Sequence, residues 1–195
     1  MARTQLLDFR HNIRSLPPGM ATFDAFADVR PGHWFFYYVA WAYDAGLVQG
    51  FAGNFRPNDP ITREELAAII VRAQSASSPT GNAPFTDADL VSSWAMQYVH
   101  TAHSMGLIIG DPCGSFRPRD NITRAETATA INRLLGRVDS QPALQAANVD
   151  NINQARQFPD VRAAAWYFPS VVAAANDHYL TRDVDGAVDW MMIVR

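Results

Sequence analysis

An internal repeat constrains the fold of this chain more than any other property of its sequence. Phe26 to Ala73 and Phe85 to Leu135 carry the same features in the same order. An F-x-D start (Phe26, Asp28; Phe85, Asp87) is followed by a Trp (Trp34; Trp94). Val stands five residues past the Trp (Val39; Val99) and Ala eight residues past it (Ala42; Ala102). A Gly-Leu pair comes next (Gly46, Leu47; Gly106, Leu107), then a second Gly (Gly50; Gly110). F-R-P (Phe55 to Pro57; Phe116 to Pro118) and I-T-R-x-E (Ile61 to Glu65; Ile122 to Glu126) complete each copy. A unit of this length cannot bury its apolar face alone, so copies are expected to pack on one another. A third start stands at Phe158 with Trp166, Val171 and Ala174 at the same spacings. It then departs from the pattern: His178 replaces the Gly, and the G-to-F-R-P loop is missing. Leu180 to Asp183 read as a compressed helix start that lacks the Glu, with a helix expected over the apolar stretch Ala187 to Val194.

Each full repeat reads as helix, loop, helix. In the first, Trp34, Tyr38, Trp41, Ala42 and Ala45 share one helical face, and Gly46 suits the left-handed position that ends a helix. The second helix opens on a capping box, with Thr62 as N-cap and Glu65 three residues on; Thr123 and Glu126 repeat it. The fold class is therefore mostly α. The divisions are residues 1–25 as a leader, with a short helix up to Arg14, 26–73 as repeat one, and 74–84 as a linker. Residues 85–136 are repeat two, 137–157 a connector with a helical turn or two, and 158–195 a degenerate repeat three.

The motifs F-x-D, W, A-x-x-x-G-L, G-x-x-x-x-F-R-P and I-T-R-x-E, in that order over each repeat, are similar to those of the S-layer homology family. The resemblance covers nearly all of repeats one and two and the front half of repeat three. It implies three repeats around a pseudo-threefold axis, and a module that anchors proteins to the cell surface. It further implies that the partner is secondary cell-wall polysaccharide, gripped through a pyruvylated sugar.

The residues themselves point to an anion site. Arg63 and Arg124 follow the N-cap in both repeats, where a cation opposes the helix dipole by some tenths of a kcal/mol. A planar guanidinium there suits a carboxylate, such as that of a pyruvate ketal. The same residues would equally serve to pair with acids of a neighbouring repeat, the F-x-D aspartates among them. Gly50 and Gly110 mark a tight loop where bare backbone approaches a ligand. Arg56 and Arg117 lie in that loop as secondary ligand candidates. Trp34, Trp94 and Trp166 are candidates for stacking on a sugar ring, although a Trp opening a helix also suits a core. Thr62, Glu65, Thr123 and Glu126 are assigned to capping.

Composition narrows the function classes. The net charge of −3 argues against a general nucleic-acid binder, and no apolar run is long enough to span a bilayer. All sixteen basic residues are Arg. The single Cys113 allows no intramolecular disulfide and reads as a loop filler. Asp44, Asp59, Glu64 and Glu65 offer a glycosidase its carboxylates, but Glu65 is explained by the cap and nothing singles out the rest. His100 and His103 are two ligands where a structural zinc needs four. No catalytic constellation, metal site or cofactor is expected. The N-terminus lacks the apolar segment of a secretory signal, which leaves a cytoplasmic location open beside the cell surface. It also keeps a protein–protein adaptor as the alternative function.

Overall fold

The computed structural model describes residues 16–17, 19–74, 83–137, 140, 156, 158–182 and 188–193, the last two strands by their backbone alone. The expected helix before Arg14, most of the 74–84 linker and most of the 137–157 connector lie outside these residues. Among the described residues five α-helices follow in order: α1 Phe36–Asp44, α2 Arg63–Gln74, α3 Met96–Ser104, α4 Arg124–Leu135 and α5 Phe168–Ala175. A hairpin of β1 Asp177–Arg182 and β2 Val188–Ile193 ends the chain. The protein is mostly helical, as its repeats predict. No helix among the described residues is long and apolar enough to cross a membrane.

The chain divides into two compact units, Met1–Ser104 with Gly110–Asn121, and Met105–Ile109 with Ile122–Arg195. In the first, Phe23, Phe26, Val29, Phe36, Val39 and Ala40 form one buried cluster, with Leu16 and Met20 packed against it. The end of the expected leader thus joins the core of repeat one. Burial of each large apolar side chain here contributes about 1.5–3 kcal/mol. α1 buries Phe36, Val39 and Ala40, not the face that contains Trp34 and Tyr38, which are 83% and 42% exposed. FYYVAWAYD is apolar nearly all round, so its periodicity does not choose a face; the Phe23–Phe26 aromatic edge does. α1 ends as expected: Gly46 has φ +70, and the Leu47 amide donates back to the Ala42 carbonyl at 2.8 Å.

α2 of repeat one packs on α3 of repeat two. Its buried face is Leu66, Ala67, Ile70 and Val71. Arg72 extends over the Tyr98 ring, 4.8 Å from its centroid, and donates to the Leu47 carbonyl. In the second unit α4 packs on α5, where the buried Asn132 donates to the Ser170 carbonyl at 2.7 Å. Second helix against next first helix is therefore the recurring contact. α5 opens with a proline in its first turn, a position where the missing amide costs nothing.

The C-terminal hairpin replaces the helix expected over 187–194. β1 and β2 pair antiparallel, with Asp177 opposite Ile193 and Arg182 opposite Val188. Tyr, Thr, Val, Trp and Ile favour a pleated surface, and Asp185-Gly186 between the strands is a hairpin signal. Without a Glu to complete a capping box, the segment has no helix start to oppose these preferences.

Candidate functional site

The loop that carries F-R-P is held by the acid of the F-x-D motif. Asp28 accepts hydrogen bonds from the Phe55 and Arg56 amides at 2.8 and 2.7 Å. Asp87 does the same for Phe116 and Arg117, both at 2.8 Å. The Phe55 amide is the main influence holding the Asp28 carboxyl below its ordinary value, over the opposing effect of desolvation. At Asp87 burial pushes up, but the Phe116 and Arg117 amides and the Arg63 charge bring it down. These clamps hold Arg56 and Arg117 in left-handed backbone, φ +59 and +55, which costs a non-glycine residue about 1–2 kcal/mol. This role of the aspartates is not anticipated by the motif alone. Its signal was the joint presence of F-x-D and F-R-P in both full repeats.

Gly50 and Gly110 are in the same loops for a packing reason. A Cβ on Gly110 would stand 2.6 Å from the Phe85 ring and 2.9 Å from the Ser115 carbonyl; at Gly50 it would strike Phe26 and the Asn54 carbonyl. The bare backbone approaches the F-x-D phenylalanine, which in turn faces the F-R-P phenylalanine, Phe26 on Phe55 and Phe85 on Phe116.

Both helix starts carry the capping box. Glu65 accepts from the Thr62 amide at 2.8 Å while its own amide donates to the Thr62 hydroxyl. Thr123 and Glu126 do likewise.

The two arginines that follow these caps have opposite surroundings. Arg63 is 4% exposed. Its Nε donates to the Phe116 carbonyl at 2.6 Å, and its guanidinium lies 5.4 Å from the centre of the Phe116 ring. The Arg63 and Glu64 amides donate to the carbonyls of Asp120 and Pro118, each at 3.0 Å. Buried Glu64 accepts from the Ser92 hydroxyl and amide at 2.7 and 3.0 Å. The start of α2 is thus docked on the F-R-P loop of repeat two, with no open groove at Arg63. Arg124 is exposed. The loop that would cover it belongs to repeat three, and that loop is missing from the sequence.

Arg117 makes a two-pronged pair with Asp111, at 2.5 and 3.2 Å, and reaches Asp120 at 3.2 Å. Arg56 reaches Glu65 at 3.3 Å and Asp59 at 3.8 Å, and its side chain is about half exposed. Arg56 also lines a cleft of about 640 Å³ with His33, Phe35, Phe51, Asn54 and Asn58. Phe51 is 73% exposed. Trp34 meets Phe35 edge-on at 5.5 Å, beside this cleft. The Trp of every repeat is at the surface, with Trp94 50% and Trp166 62% exposed; none is core. Cys113 is exposed, its thiol drawn down from its ordinary value by hydrogen bonding with Ser115. The His103 ring packs edge-on against Phe85, and the described residues contain no cluster of three metal-ligating side chains.

Comparison with known proteins adds to this geometry. The S-layer homology domain model matches residues 25–67 and 84–128. Amylopullulanase from Thermoanaerobacterium thermosulfurigenes is 41% identical over 115 residues, 56% of this chain and 6% of that protein. Cell surface glycoprotein 1 from Acetivibrio thermocellus is 29% identical over 178 residues, 85% of this chain and 7% of that protein. The cellulosome-anchoring protein of the same organism is 27% identical over 165 residues, 83% of this chain. This chain spans only a small share of each relative, 34% in the last case.

Proposed function

Residues 25–67 and 84–128 are S-layer homology domains, and from that premise we propose that this chain is a non-catalytic cell-surface anchoring module that binds an acidic, pyruvylated cell-wall polysaccharide. The relatives named for anchoring and for the cell surface support the location. Three relatives named as enzymes share 6%, 11% and 12% of their length with this chain, so their activities are not carried over to it.

The observation that carries the glycan reading is the exposure of the Trp in all three repeats, beside an Arg-bearing cleft in the first. Large apolar side chains held at the surface mark interaction sites, and an aromatic face suits the apolar face of a sugar ring. Trp34, Phe51 and Phe35 supply that surface, and Arg56 supplies a cation for the pyruvate carboxylate. Arg124 is the second candidate for that carboxylate. Arg63 is assigned to holding the repeats together.

Isothermal titration with pyruvylated cell-wall polysaccharide, and with the same polymer stripped of pyruvate, tests this. Trp34→Ala, Arg56→Ala and Arg124→Ala are each expected to weaken binding, the two Arg losses by about 1.5–3 kcal/mol, the range for a hydrogen bond to a charged group. Removal of pyruvate is expected to abolish it. Equal binding of both polymers, or indifference to all three substitutions, rules the reading out.

A further inference from the structure

Repeat one and repeat two each present half of a junction whose other half is not found among the described residues. At the complete junction, the start of α2 covers the repeat-two loop. There Arg63 and Glu64 are buried on one side, and Phe116 and Pro118 on the other. The matching positions elsewhere show the opposite. Phe55 and Pro57 are only partly buried, and the carbonyls of Phe55, Pro57 and Asp59 accept no hydrogen bond from any described residue. Arg124 is exposed, and its amide and that of Ala125 donate to no described residue. Among the described residues one half is therefore an F-R-P loop without a helix start, and the other is a helix start without an F-R-P loop.

The two halves also match in detail. Glu64 needs Ser92, which stands two residues before Trp94; the residue two before Trp34 is Gly32, which offers no hydroxyl. A Glu at position 125 docked there would be a buried carboxylate without its partner, a costly arrangement. Repeat two instead has Ala125. Charge agrees as well: Arg63 sits near Asp87, and the loop of repeat one presents Asp28 and the exposed Asp59 in the same places.

We infer that the start of α4 in one copy of this chain docks on the repeat-one loop of a second copy, Arg124 seating over Phe55 as Arg63 seats over Phe116. Such an interface is heterologous, since each copy offers one loop and one helix start, so association proceeds head to tail. The repeat-one loop shares Asp28, Pro57 and Asp59 with the cleft proposed for the glycan, and Arg124 is itself a candidate for its carboxylate, so glycan and a second copy compete for this face. Sedimentation without glycan reads association alone and titration with the polymer reads the glycan alone, so failure of one is told from failure of the other.

Sedimentation velocity of the whole chain from micromolar to millimolar concentration, with reductant present to keep Cys113 a thiol, tests it. Wild type is expected to form dimers and longer species as concentration rises. Arg124→Glu blocks the helix start and Pro57→Arg blocks the loop; each alone is expected to weaken association at least about tenfold, as for one charge-assisted hydrogen bond. Both variants should keep the wild-type circular dichroism spectrum. Mixing the two variants restores one intact junction, so the mixture is expected to form a dimer and nothing larger. A strictly monomeric wild type, an oligomer unmoved by both substitutions, or a mixture that stays monomeric overturns the inference.

Discussion

Arg63 and Phe116, 53 residues apart, are joined twice: the guanidinium donates to the phenylalanine's carbonyl at 2.6 Å and lies against its ring. Phe116 is fully buried, and the arginine is the partner that satisfies its carbonyl. An unsatisfied buried carbonyl costs about 1–3 kcal/mol, and loss of the arginine's stem packing adds to this. Arg63→Ala is expected to lower stability by about 2–4 kcal/mol in urea denaturation, with Arg124→Ala within about 0.5 kcal/mol of wild type, as for an exposed residue. Equal effects of the two substitutions would contradict the assignment of Arg63 to the junction.

Glu64 and Ser92 form the polar half of the same junction. A double-mutant cycle with Glu64→Gln and Ser92→Ala is expected to give a coupling energy of about 1–3 kcal/mol, the range for groups in direct contact. Additive effects would show that the contact does not hold the repeats together.

Asp28 and Asp87 link stability to acidity. Both carboxyls are held below the ordinary value of 3.8 in the folded protein. A folded pKa below the unfolded one means that the unfolded chain binds more protons as the pH falls. The stability they contribute is present above about pH 3.8 and is lost as the pH drops through the folded values. Asp87→Asn is therefore expected to destabilise at pH 7 and to lose that effect progressively in acid. Thermal midpoints measured across that interval check it, and a pH-independent difference would contradict it.

Gly50→Ala and Gly110→Ala place a methyl against a phenylalanine ring in backbone of positive φ. Overpacking costs about 1–3 kcal/mol and the left-handed backbone about 1–2 kcal/mol more. Each substitution is expected to lower the thermal midpoint, whereas Gly32→Ala, with nothing near its Cβ, meets only the backbone cost. If Gly110→Ala proves no worse than Gly32→Ala, the close approach to Phe85 is not limiting.

The helices, their caps and the repeat order were legible because they rest on local chemistry. Thr62 and Glu65 meet across one turn, and Gly46 ends its own helix. The exposed face of α1 was not legible, since Trp34 and Phe36 are equally apolar and only contact with Phe23 and Phe26 tells them apart. Nor was the difference between Arg63 and Arg124. They share the I-T-R-x-E context, and their environments depend on whether the next repeat supplies a loop. The sequence did contain that fact, as the missing F-R-P of repeat three, but only the observed docking of α2 makes it consequential. The terminal hairpin was misread because its helix expectation was carried over from the two full repeats.

The junction also sets an order of events during synthesis. Chains emerge from the N-terminus first, so the start of α2 leaves the ribosome more than 50 residues ahead of the Phe116 carbonyl it must bind. Until then Arg63 and Glu64 keep water as their partner, and repeat one waits unfinished. Repeat two waits in turn, because the buried Asn132 of α4 binds the Ser170 carbonyl 38 residues on. Each of the two full repeats is thus finished by the segment synthesised after it.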